Sequence, residues 1–426
     1  MLPSITPWSS PSILIITGAK GDTRRYRAFH LYQQLRMAGV EASTFHISDA
    51  RASAQAEKCG VLVLHRVPND SIVARLIDSV RRRSGLVLVD HDDLIFDPAA
   101  FQWIDSPDFQ DPIRAQLYQQ EMRRQQQTVL LGDAVITSTD YLADVVRKSG
   151  KPAWVHRNAA NQEMLEISTR AIAQKRQPDG KYVIGYASGT PTHNRDFAMI
   201  APALMETLNL NPRAELWIIG HLDLEPAWQS FKDRVRIFKP VPWRDLPFWL
   251  AQIDVNLAPL VLDNPFSLSK SEIKFMEAAL VGVPTIASPT DAFTFAIRSG
   301  ENGLLALSLQ DWQAGLEALA DPTQRTDMGE MARKGVLAQY TPQIRSQQIV
   351  DLLNQIASHC GSTDQWQVLA IPTMPLEQYN WPAAWEAGPS LVKMGVYSLQ
   401  SRGVLTLLKQ LWITLRRFTA RWIPYR

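Results

Sequence analysis

Residues 263–288 read DNPFSLSKSEIKFMEAALVGVPTIAS and gather side chains able to hold a charged, hydroxyl-rich ligand. Lys270, Lys274 and Glu277 follow one another at i, i+4 and i+7, which places them on one face of a helix. Ser269 followed by Glu272 has the spacing of a capping box and predicts a helix beginning at Lys270. A helix start offers free N–H groups and the positive end of a dipole to an anion. Lysines on its first turns add cationic donors. A carboxylate two turns further in accepts hydrogen bonds from vicinal hydroxyls. Phosphate first and ribose behind it is the order of groups in a nucleotide diphosphate. The competing reading is a solvated surface helix with a Lys–Glu pair.

The neighbouring face, Ile273, Met276 and Leu280, is apolar and predicts a helix packed on a core. Gly282 suits the left-handed position past the helix end, and Pro284 forbids its continuation. Residues 285–287 then read as a short buried strand. The rest of the chain supplies more units of this kind. Residues 12–17 (SILIIT) are a buried strand, 18–21 a glycine turn, and 26–38 an amphipathic helix ending at Gly39. Further apolar runs at 61–64, 86–89, 134–136 and 153–155 end in polar residues. Repeated strand–helix units of this type predict a parallel, doubly wound α/β sheet. Ligands bind such sheets beyond the carboxyl ends of the strands. Those ends supply Gly18, His65, Asp90 to Asp93, Ser138 and Arg157.

The pattern restarts after a polar stretch, 168–181, which contains Pro178 and Gly180 and predicts a linker. Strands are expected at 182–186, 215–219, 235–238, 255–257 and 285–287, with a loop at 187–195 and a helix at 197–208. The reading is therefore two Rossmann-like domains, 1–167 and 182–356, facing a cleft, with Gly18 and Glu277 on opposite walls. A strap follows at 357–392 and a basic tail at 393–426. That tail holds seven basic residues and no acidic one. Val404, Leu408, Leu411, Leu415, Phe418 and Trp422 recur in it at spacings of four and three. Such a cationic amphipathic helix suits an anionic membrane surface, or a docking face on the protein itself.

Several function classes are disfavoured. Net charge of +2 gives no global basic field for nucleic acid. Two cysteines are too few for a disulfide framework or a cysteine-rich metal site. No signal peptide and no spanning run is visible, so a cytoplasmic protein, peripheral at the inner membrane face through its tail, is expected. Gly18 and Gly21 lack the full dinucleotide fingerprint, which argues against a nicotinamide dehydrogenase. Arg24, Arg25 and Arg27 follow that turn. They suit a loop facing an acceptor or a phosphate, or a turn with solvated arginines. The cluster Asp90-His91-Asp92-Asp93 could ligate a metal, serve an active site, or simply end its strand.

The segment around Glu277 resembles the donor-binding region of retaining GT-B glycosyltransferases of the group 1, or family 4, type. The match is Glu277-Ala278, then Gly282-Val283-Pro284, within a two-domain repeat running from about residue 12 to 353. The resemblance implies a nucleotide-diphosphate sugar as donor, no resident metal or cofactor, and a glycan, lipid-linked or other hydroxyl acceptor. It implies that Glu277 holds the ribose. Ser271, Lys274, Gly189, Arg195 and Gly220 bind the donor, with Arg195 and Lys274 neutralising the leaving diphosphate and His193 a weaker partner. His91 lies near the transferred sugar. Gly18, Gly21 and Arg24 face the acceptor. A second glutamate usual in that family is Ser269 here, which leaves a glycosyltransferase-like binding or scaffold protein as the alternative.

Overall fold

The computed structural model describes residues 12–177, 179–189, 193–361, 391–402, 404 and 408. Two six-stranded parallel sheets form its two domains. The first contains β1 (Ile13–Thr17), β2 (Ala42–His46), β3 (Val61–His65), β4 (Leu86–His91), β5 (Ala134–Thr137) and β6 (Ala153–Val155), in the order β2-β1-β3-β4-β5-β6. The second contains β7 (Tyr182–Ser188), β8 (Ala214–Gly220), β9 (Val235–Phe238), β10 (Val255–Ala258), β11 (Thr285–Ala287) and β12 (Leu304–Leu305), in the order β12-β11-β10-β7-β8-β9. The apolar runs became strands because helices cover both faces: β1, β3, β4 and β5 are buried at every residue. The chain reverses direction across the sheet beside β1 and again beside β7. Each reversal opens a crevice at the strand ends.

Two elements carry weak sequence signals and are absent from the reading above. Strand β2 lies at the sheet edge and is largely half-buried, so its apolar content is low. The helix Pro112–Leu131 is rich in glutamine and buries only Met122, Gln125, Thr128 and Val129.

The first helix begins earlier than expected. It runs continuously through Gly21–Arg24, a π-helical turn Arg25–Phe29, and His30–Met37. Arg24, Arg25 and Arg27 are therefore buried helix residues rather than solvated turn residues. Arg27 holds the Asp90 carboxylate through two bonds of 2.9 and 2.6 Å and donates to the His156 carbonyl at 2.6 Å. A charge buried at that depth persists only with such a complete set of partners.

The predicted capping box does not form. The helix is Ile273–Leu280, beginning three residues later. Ser269 instead donates to the Phe266 carbonyl at 2.7 Å, ending the short helix Pro265–Leu268. Glu272 accepts from the Tyr340 hydroxyl at 2.9 Å. Tertiary partners have thus captured both side chains of the local motif. At the other end Gly282 takes φ +70°, as its position requires.

The polar stretch 168–181 begins inside the helix Gln162–Ile172, whose buried face includes Ile167 and Ala171. At the far end, helix Pro342–His359 returns to the first domain. There Ile349, Val350, Leu353 and Ile356 pack with Ile13, Ile15, Leu31 and Leu35. The strap proper, 362–390, lies outside the described residues. Helix Leu391–Arg402 docks on the first domain, with Tyr397 donating to Asp70 at 2.5 Å and Arg402 to Glu121 at 3.1 Å. Within the predicted apolar stripe, Val404 and Leu408 are exposed. Leu411, Leu415, Phe418 and Trp422 lie outside the described residues.

Because the returning helix completes the first core, Leu353→Ala is expected to cost about 2–5 kcal/mol, the range for emptying a well-packed site. Urea unfolding, followed by tryptophan fluorescence, measures it. An unchanged midpoint would contradict the shared core.

Candidate active site

A cleft of about 430 Å³ opens between the domains at the carboxyl ends of both sheets. The second domain contributes Ser188 at the end of β7 and Gly189 after it, Gly220 at the end of β8, Trp243, and the row Lys270, Ser271, Lys274 and Glu277. The first contributes Asp22, Arg25 and Tyr26 from its first helix, Arg66 after β3, and Asp92 and Asp93 after β4. Helical spacing thus delivered Lys274 and Glu277 to one wall together, as the sequence implied.

Lys274 is the electrostatic centre of that wall. Its ammonium is buried with no hydrogen-bond partner among the described residues and lies 4.4 Å from the centre of the Tyr186 ring. Burial lowers its pKa to about 8, against the partial support of Asp196 and Glu277. Burial also raises the Glu277 pKa, opposed by the Tyr26 hydroxyl, which donates to Glu277 at 2.5 Å. Tyr26 belongs to the π-helical turn, a distortion that often marks functional segments. The same turn presents Arg25, whose guanidinium lies 4.2 Å from the Tyr26 ring centre and 4.5 Å from that of Trp243.

Polar pairs close the cleft elsewhere. Lys270 donates to both oxygens of Asp93, at 3.1 and 3.0 Å, and Asn158 donates to Ser271 at 2.9 Å. Arg66 binds Asp92 at 2.5 Å and Asp93 at 3.3 Å. Burial alone would raise the Asp92 pKa, but Arg66 and His65 overcome it and hold the carboxyl well below its usual range. Asp90, Asp92 and Asp93 are thus each engaged by a cation. Among the described residues no group of three or more His, Cys, Asp or Glu could hold a metal ion.

Several expected site residues stand elsewhere. His91 is fully buried, tilted against Phe96 with ring centres 4.9 Å apart, and does not line the cleft. It is still a strand residue, so the pleat points it into the core; Asp92 and Asp93, beyond the strand, reach the cleft instead. Burial lowers its pKa to about 3. Arg195 is exposed and also misses the cleft. The helix starts at Asn194 rather than Phe197, which carries Arg195 about 200° around the axis from His193. His193 lines the cleft in its place, bonded to Asp196 at 2.9 Å, with burial and Lys274 lowering its pKa.

Gly18 is a backbone necessity rather than a ligand contact. A Cβ there would lie 2.4 Å from the Arg66 carbonyl, and Arg66 itself takes the left-handed φ of +48°. Gly21 and Arg24 line a neighbouring pocket of about 260 Å³ at the Glu277 end, sharing Asp22, Arg25 and Trp243 with the cleft. Gly220 has φ +117°, and a Cβ there would meet the Ser188 carbonyl at 1.8 Å. Asp92 and Asp93 were legible as part of a strand-end cluster open to metal, active-site or capping readings, and Arg66 lies directly after the strand-end His65. Tyr26 was hidden by the misplaced helix start. Trp243 gave no sequence signal.

Comparison with known proteins agrees with this geometry. Residues 181–321 match the family model "Glycosyl transferases group 1". The matched stretch falls within the second domain. The two-domain GT-B architecture is shared with solved structures of low sequence identity. Sucrose-phosphate synthase from Thermosynechococcus elongatus superposes with a TM-score of 0.57 at 15% identity, over 82% of this chain and 100% of that one. Anabaena HepE, solved with UDP-glucose, gives 0.53 at 14% identity, over 81% and 100%. A glycosyltransferase from Rickettsia africae gives 0.54 at 9% identity, over 82% and 99%. No curated protein sequence matches the chain.

An ammonium buried without an acceptor costs stability. Lys274→Met is therefore expected to stabilise the ligand-free protein by roughly 1–3 kcal/mol at pH 7. The folded-state pKa is depressed to about 8 from 10.5, so both states carry the proton below pH 8 and the cost is fully present there. It fades as pH rises from about 8 through 10.5, above which the lysine is neutral in both states. Urea midpoints of the two proteins at pH 7 and pH 10 test this. A gap that does not narrow would assign the effect to packing.

Proposed function

We propose that the protein is a retaining glycosyltransferase that moves a sugar from a nucleotide-diphosphate donor to a hydroxyl of a glycan or lipid-linked acceptor. The observation that carries this reading is the buried, unpartnered Lys274 ammonium one helical turn from Glu277, on the cleft wall formed by the domain that holds the group 1 glycosyltransferase match. An anion at Lys274 removes the desolvation cost of that charge. Glu277, released by Tyr26 or shared with it, accepts from the ribose hydroxyls. Gly189 and Gly220 allow the ligand to approach the β7 and β8 strand ends.

In the reaction the bond from the anomeric carbon to the diphosphate oxygen breaks, and the acceptor oxygen bonds to that carbon. Negative charge grows on the departing β-phosphate. Lys274 and Lys270, with Lys274 already desolvated, stabilise that charge more than they stabilise the bound donor. Under retention the acceptor attacks from the leaving-group face, and its proton passes to the departing phosphate oxygen. These cations supply the neutralisation, so the proposal assigns no metal or other cofactor. The Tyr26–Glu277 and Lys270–Asp93 pairs join the two walls before the donor enters, and the bound donor takes their place, leaving little room for water at the reacting centre.

The assay is release of nucleoside diphosphate from a panel of UDP-, GDP-, TDP- and ADP-sugars with candidate acceptors, run in excess EDTA. Lys274→Met is expected to lower turnover by more than it weakens donor binding. Glu277→Gln is expected to weaken donor binding by about 1–3 kcal/mol, the loss of a charged hydrogen bond. Unchanged turnover in both variants would remove the site. Acceptor-dependent release that disappears with EDTA and returns with Mn²⁺ would refute the metal-free reading.

We further propose that the tail brings this reaction to an anionic membrane surface. Val396, Leu399, Val404 and Leu408 are exposed apolar residues, and the sequence beyond them is basic without an acidic residue. Such a segment binds anionic lipid through apolar insertion and screened charge. The full chain is expected to float with phosphatidylserine vesicles at low salt and to dissociate as salt rises. A chain ending at residue 402, which keeps the docked helix, is expected to remain in solution. Equal partitioning of the two would exclude membrane attachment by the tail.

A further inference from the structure

Lys270 and Glu277 mark the two ends of the donor wall. The Glu277 end meets Tyr26 of the first domain, and the Lys270 end meets Asp93 of the same domain. With ribose at Glu277 and diphosphate at Lys274, a transferred sugar extends toward Lys270. The first-domain carboxylates lining that end are Asp92 and Asp93.

We propose that Asp93 is the residue that grips a hydroxyl of the transferred sugar, and that the donor itself exposes it by taking Lys270 away. The inference rests on the donor orientation given above. Asp92 is held through one oxygen by Arg66 at 2.5 Å and His65 at 3.5 Å, neither of which lies on the donor wall to be drawn away by a diphosphate. Asp93 is held differently. Leu94 N–H and the Ser269 hydroxyl each reach one oxygen at 3.2 Å, and Arg66 reaches the other at 3.3 Å. These fix the carboxylate's orientation. The remaining partner is the Lys270 ammonium, which bridges both oxygens on a long, rotatable stem.

A diphosphate at Lys274 offers Lys270 a more highly charged partner one turn away. Departure of the bridging ammonium leaves Leu94 and Ser269 on Oδ1 and frees a position on Oδ2, where only Arg66 remains. That position accepts from a hydroxyl of the sugar. The bare nucleoside diphosphate would draw Lys270 equally but would place nothing on Asp93. Asp93 therefore controls recognition of the sugar, not of the nucleotide. Because Ser269 touches Asp93 from the opposite domain, a longer acidic side chain at 269 could place a carboxylate in the same space.

The test compares each nucleotide sugar of the panel with its own bare nucleoside diphosphate, by calorimetric titration of the full chain. The readout is the ratio of the two affinities for the pair that wild type binds best. Asp93→Asn, which keeps the side-chain shape and no longer holds Lys270 by charge, is expected to lower that ratio about 10-fold without weakening the bare diphosphate. The double variant Asp93→Ala/Ser269→Glu is expected to recover most of the ratio lost in Asp93→Ala alone. A ratio unchanged in Asp93→Asn overturns the inference. So does an equal loss for the bare diphosphate, which would mark Asp93 as structural. If wild type binds no member of the panel, the donor site itself is wrong and Asp93 falls with it.

Discussion

An ammonium held out of water without an acceptor is the constraint around which the cleft is arranged. The helix Ile273–Leu280 is pinned from behind by Phe275, Met276, Ala279 and Leu280, which lie in the second domain's core. That packing leaves Lys274 no freedom to swing into solvent, and the Tyr186 ring covers its flank. The same rigidity that buries the charge also aims it. A flexible lysine on a loop would be hydrated and would give an arriving anion little advantage.

The two domains share this helix as a common boundary. Tyr26 meets it at Glu277, Asn158 at Ser271 and Asp93 at Lys270, so the first domain reads the donor wall along its length. Each contact is polar and engages a group with ligand chemistry of its own. Such contacts are exchangeable: a ligand that replaces them restores the bonds it breaks. Behind them lie pairs of another kind. Arg27 with Asp90, and Glu272 with Tyr340, are buried away from the cleft and serve only to hold backbone in place. The returning helix Pro342–His359 ties both domains to one chain of packing.

Much of the architecture was legible in the sequence for plain physical reasons. A parallel strand buried on both faces must be apolar without interruption, so β1, β3, β4 and β7 stood out. The left-handed turn at Gly282 and the stop at Pro284 follow from the backbone alone. The spacing of Lys274 and Glu277 is fixed by helical pitch and survived a three-residue error in the helix start. Edge strand β2 and the glutamine-rich helix Pro112–Leu131 escaped because neither buries enough apolar surface to leave a pattern.

Which polar strand-end residue faces the cleft was decided by tertiary structure. One residue turns a helix by about 100° and flips a strand side chain to the other face. A boundary error of two or three residues therefore exchanges His193 for Arg195. Likewise the last residue of β4, His91, points into the core, while Asp92 and Asp93 just beyond it reach the cleft. The partners of the donor wall lie far away in sequence: Tyr26 is 251 residues from Glu277, and Asp93 is 177 from Lys270. Local periodicity carries no information at such distances. Ser269 and Glu272 show the converse, a sound local capping signal dissolved because Phe266, Asp93 and Tyr340 offered better bonds. The sequence by itself determined the repeated units and the spacing of charges on one helix. The pairing of those charges across the cleft followed only from how the two sheets are packed against each other.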